Sequence, residues 1–80
     1  MADVSTEEFE NKCMDVIEMI VGIDIRQDRQ GAIKVAEKML EKAKTKTTNK
    51  YLISIYERVI KEFKIATDAE YEMLRKQIFS

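Results

Sequence analysis

No proline and only two glycines, Gly22 and Gly31, occur in eighty residues. A chain with so little punctuation cannot make the many tight turns that hairpins and sandwiches require, so helices are what remain. Hydrophobic spacing agrees. Phe9, Cys13, Val16, Ile17 and Ile20 recur at the intervals of one helical face, as do Ala32, Ile33, Ala36, Met39, Leu40 and Ala43. A third set is Leu52, Ile55, Tyr56, Val59, Ile60 and Phe63, and a shorter fourth is Tyr71, Leu74 and Ile78.

Capping residues set the boundaries. Ser5-Thr6-Glu7-Glu8 has the pattern of a capping box, as has Thr67-Asp68-Ala69-Glu70, the latter with Ala66 and Tyr71 as a weak staple. Gly22 suits a helix C-terminus, Asp24 or Asp28 suits the start of the second helix, and Thr48 or Asn49 the start of the third. The spacing predicts helices over 6–21, 28–44, 49–65 and 68–79, one domain spanning 1–80. The expected fold is all-α, a small up-and-down bundle of three to four helices. The alternative is an α+β fold with one short edge strand near 19–25, where Ile23-Asp24-Ile25 alternates.

Several chemistries lack their parts. There is no histidine and a single cysteine, which removes imidazole acid–base catalysis, disulfides within the chain and zinc sites. Cys13 falls on the apolar stripe of the first helix and reads as a core thiol. Asp24 and Asp28, four residues apart, have the spacing to share a magnesium ion, but capping accounts for both. The expectation is a non-enzymatic protein without a cofactor. The acidic opening does not resemble a signal peptide, and the apolar run 16–25, broken by Glu18 and Asp24, is too short for a bilayer. A cytoplasmic, intracellular protein without membrane contact is expected.

What it binds is addressed by two surfaces. At about 100° per residue, the apolar arcs of the first and third helices cover roughly half their circumference. Such faces exceed what one small core hides, and leftover apolar surface marks an interface. Phe9, Met14, Met19, Val21, Tyr51, Ile53 and Ile55 are the interface candidates, for a protein-binding regulator or inhibitor that also forms a homo-oligomer, a dimer first of all.

Charge is the second surface. The net charge of −1 hides segregation: residues 1–24 hold seven acids against Lys12 alone, whereas residues 25–64 hold eleven bases and five acids. The acidic helix therefore either neutralises the basic middle, within one chain or across a dimer, or the middle binds anions. In the second case the candidates are Arg26 and Arg29, and the cluster Lys42, Lys44, Lys46 and Lys50 around the start of the third helix. An anion, nucleotide or nucleic acid is the alternative partner, without a Walker motif or a row of aromatic rings to support it.

Overall fold

A computed structural model describes residues 6–46 and 49–79, in four helices: α1 (Thr6–Ile23), α2 (Arg29–Lys46), α3 (Lys50–Ile65) and α4 (Asp68–Phe79). No strand occurs among the described residues, so 19–25 is not an edge strand. Ile23 completes α1, and the chain turns at Asp24.

The ends form for local reasons. The Asp28 carboxylate accepts from the Gly31 amide at 2.7 Å and so caps α2. Asn49 caps α3, its Oδ1 accepting from the Tyr51 and Leu52 amides at 3.0 and 3.3 Å. Thr67 and Glu70 form the reciprocal box at the start of α4, with bonds of 2.8 and 3.1 Å. The box proposed at Ser5 and the cap at Thr48 involve residues outside those described. Gly22 is not a C-cap: it lies inside α1 without a positive φ.

The helices alternate in direction. Phe9 meets Tyr51 and Glu10 reaches Arg58, so α1 and α3 run parallel. Met39 and Ala43 share a groove with Leu52 and Tyr56, and Glu37 pairs with Lys64, which sets α2 antiparallel to α3. The core is the seam of these three. Ile17, Ile20 and Val21 of α1 meet Ala32, Ile33 and Ala36 of α2 and Ile55, Val59, Ile60 and Phe63 of α3. Alanines on α2 let its neighbours come close, and each large side chain fully buried here contributes about 1.5–3 kcal/mol. The fourth helix brings one fully buried side chain, Tyr71, whose ring stands edge-on to Phe63 at 5.8 Å.

Nothing within the subunit requires glycine at position 22. A methyl group there would meet nothing within 4 Å. Gly22→Ala is therefore expected to raise the stability of the single subunit, measured at high salt, by about 0.5 kcal/mol, through the smaller backbone entropy of alanine. A urea midpoint that moves down would refute this.

Candidate functional site: a cation-edged furrow along α2

Two rows of side chains run side by side along α2, the apolar one buried at Gly31 and Ala43 and half-buried at Val35 and Met39. One is Gly31, Val35, Met39 and Ala43; the other is Lys34, Lys38, Lys42 and Lys46. Both repeat every fourth residue, so each stacks along the helix axis with about 6 Å between successive members. Gly31, Val35 and Met39 of the apolar row form the floor of a groove of about 550 Å³, walled by Ile23, Asp24, Ile25 and Arg26 where α1 turns into α2, and Ala43 lines the groove that continues it. A second groove, of about 300 Å³, continues it between α2 and α3, sharing Met39 and Lys42 and adding Lys46, Leu52 and Tyr56. The result is one furrow with an apolar bed and a line of ammonium groups along its edge.

Charge at the furrow is not neutralised from within. Among the described residues none of the four lysines enters an ion pair. Like charges four residues apart also cost a helix a few tenths of a kcal/mol per pair. Arg26 is the furrow's paired cation, 3.5 Å from Asp28. Ile25 is 92 % exposed at the furrow's wall, and Ile23 is half exposed beside it. Large aliphatic side chains left in water next to a row of cations form a surface with both an apolar and an anionic preference.

The corner that holds the wall is built around a buried carboxylate. Asp24, 6 % exposed, accepts from the Tyr71 hydroxyl at 2.8 Å and from the Gln27 amide at 3.1 Å. Gln27 adopts a left-handed backbone, φ 56°, which lets the turn reverse in so few residues. Gly31 packs against this carboxylate: a Cβ there would run into Asp24 Oδ1 and lie 2.9 Å from the Arg26 Cβ. Burial, the bond to Asp24 and its charge hold the Tyr71 phenol well above the usual tyrosine range.

The residues expected from sequence divide. Met14 and Met19 are exposed, as an interface requires. Val21 and Ile55 are buried in the core and cannot meet a partner, because α2 and α3 close over the faces that carry them. Phe9, Tyr51 and Ile53 are half buried, Phe9 and Tyr51 by stacking edge-to-face at 6.0 Å. Met14 belongs elsewhere, in a smaller hollow with Ile17, Phe63, Ile65 and Leu74 beside Glu62 and Glu70. The exposed Ile25, Ile65, Met73 and Phe79 were not singled out from sequence.

The basic candidates also separate. Arg29 is committed to the fold. Its Nε donates to Asp68 at 2.8 Å and its Nη1 to the Phe63 carbonyl at 3.3 Å, tying α2 to the α3–α4 corner with a side chain only 20 % exposed. It is not half of a free guanidinium pair with Arg26. Lys42 and Lys46 enter the furrow, whereas Lys44 and Lys50 are exposed but line neither groove. The amides that open α3 are not offered to an anion, since the Asn49 side chain already accepts from two of them. Lys34 and Lys38 were missed, although their four-residue repeat is written in the sequence.

Among the described residues other chemistries find no constellation. Cys13 is buried, and desolvation pushes its thiol up, away from the thiolate a nucleophile needs. Asp24 spends its oxygens on Tyr71 and Gln27, and Asp28 on Gly31 and Arg26. Among the described residues no group of three or more acidic or cysteine side chains is placed to hold a metal, and no helix is long and apolar enough to cross a membrane. The chain matches no protein-family model, no curated protein and no solved structure.

Proposed function

We propose that this is a non-enzymatic, intracellular binding protein, a regulator or inhibitor that takes an acidic amphipathic helix of a protein partner into the α2 furrow. The observation that carries this reading is the apolar row Gly31–Val35–Met39–Ala43 lying directly beside the unpaired row Lys34–Lys38–Lys42–Lys46. An apolar helix face lies in such a bed, while its flanking carboxylates meet the lysines; this is helix-in-groove recognition with a charge filter. A nucleic acid is the second reading, favoured by the same lysine row, but among the described residues Tyr56 is the one aromatic ring lining the furrow, and the exposed aliphatic wall of Ile23 and Ile25 suits an apolar helix face better than a base.

Fluorescence anisotropy with a synthetic helical peptide, leucine on one face and glutamate on the other, tests the proposal. Binding is expected that weakens with salt and falls at least tenfold in the triple variant Lys34→Glu, Lys38→Glu, Lys42→Glu. Equal binding of a peptide with lysine in place of glutamate would defeat the proposal. Tighter binding of a DNA duplex than of the acidic peptide would transfer the furrow to the second reading.

A further inference from the structure

Where the furrow's cations find their counter-charge is answered by the chain itself. The outer face of α1 presents Glu7, Asp15 and Glu18 with Met19 and Gly22, all exposed. Among the described residues, Glu7, Asp15 and Glu18 enter no ion pair within the chain. Glu10, by contrast, is paired with the basic middle segment, at 3.5 Å from Arg58. Glu7, Asp15 and Glu18 are therefore carried on a face that the basic middle of the same chain does not neutralise.

We infer that the furrow is occupied by the α1 face of a second copy, each copy giving its acidic helix to the other's α2. This rests on the reading of the furrow as a helix-binding groove and names its occupant. Three observations carry it. The first is charge: an acidic face with exposed methionine meets a cation-edged apolar bed, the complementarity that a like pair of surfaces lacks. The second is contiguity. Ile23, the last residue of α1, is itself a wall of the furrow, so the donor face and the acceptor groove adjoin on one surface. A two-fold axis needs such a patch, one half of which complements the other, and it then makes the contact twice. The third is Gly22, which has open space around it and no role in its own subunit. On the same face as Asp15 and Glu18, it leaves bare backbone where an incoming helix can approach closely. Both α1 and α2 have 18 residues, about 27 Å of helix, so the two contacts are matched in length.

Sedimentation equilibrium with charge-swapped variants tests the pairing. One variant carries Lys34→Glu, Lys38→Glu and Lys42→Glu; the other carries Asp15→Lys and Glu18→Lys. All five positions are exposed, and helix content by circular dichroism verifies that each variant folds. The native protein is expected to have twice the monomer mass at low salt and to dissociate as salt is raised. Each variant alone is expected to be monomeric, and an equimolar mixture of the two to regain the doubled mass, since every contact in the mixed pair again joins acid to base. A native protein that is monomeric at low salt up to its solubility limit would overturn the inference. So would a native dimer indifferent to salt, even were a variant unfolded, and so would a mixture of folded variants that stays monomeric. A native monomer that still binds the acidic peptide would remove the second copy and leave the furrow; loss of both would remove the furrow as well.

Discussion

Alanine at Gly31 is expected to destabilise the protein by about 2–4 kcal/mol, a large share of the stability of a domain this size. The added methyl group would occupy the space of the Asp24 carboxylate and press on Arg26 and Asp28. Overpacking of this kind costs about 1–3 kcal/mol, and displacing Asp24 also strips a partner from the buried Tyr71 hydroxyl, at about 1–3 kcal/mol more if nothing relaxes. The far ends of flexible side chains give way more readily than backbone, so the two costs do not add in full. At about 4–8 °C per kcal/mol for a small domain, the thermal midpoint is expected to fall by roughly 8–32 °C. Alanine at Gly22, with both variants melted at high salt, serves as the control, being the same change with empty space around it within the subunit. Equal midpoints for the two variants would refute the packing assigned to the corner.

Removing the Asp24 side chain is expected to have an effect of similar size. Asp24→Ala takes the acceptor from both the Tyr71 hydroxyl and the Gln27 amide and leaves a hole at the corner, for about 2–4 kcal/mol. Tyr71→Phe is milder, removing one bond to a carboxylate that keeps its other donor, for about 1.5–3 kcal/mol. The double variant is expected to lose less than the sum, since the two changes remove one shared bond. Because Tyr71 is the fully buried side chain of α4, the loss should fall first on that helix, and its amides should exchange faster than those of α3. A pH dependence follows. The Tyr71 pKa is raised in the folded state, so its contribution is fully present below about pH 10, where an unfolded tyrosine ionises, and declines at higher pH as folding resists that ionisation. Urea midpoints are expected to fall above pH 10 in the native protein and to fall less in Tyr71→Phe.

Much of the architecture was legible because it is local. Helical spacing, the caps at Asp28, Asn49 and Thr67, and the scarcity of glycine and proline act within a few residues, and the four helices start and stop within about two residues of where those signals place them. Gly22 misled for a reason: a glycine near a helix end signals a cap only when a left-handed backbone is needed, and here Gln27 supplies the left-handed residue instead. The candidate site was less legible. Apolar arc width shows how much of a helix is greasy, but not which neighbour covers it. Val21 and Ile55 were thus indistinguishable from Met14 until the packing of α2 and α3 was seen. Lysines near each other in sequence were grouped as Lys42, Lys44, Lys46 and Lys50, whereas the surface groups Lys34, Lys38, Lys42 and Lys46 by helical turn. In the sequence Asp24 has the look of a cap, because its partner, Tyr71, lies 47 residues away. A long-range bond between a loop and the last helix leaves no periodic trace.

Chemical-shift mapping of the labelled protein against the leucine–glutamate peptide tests the central claim most directly. The methyl groups of Ile23, Ile25, Val35 and Met39 and the backbone amides of 34–46 are predicted to shift together, and the α4 methyls of Met73 and Ile78 to stay in place. Shifts that instead gather around Lys50, or on α4, or that fail to appear with an acidic helix in excess, would contradict the account.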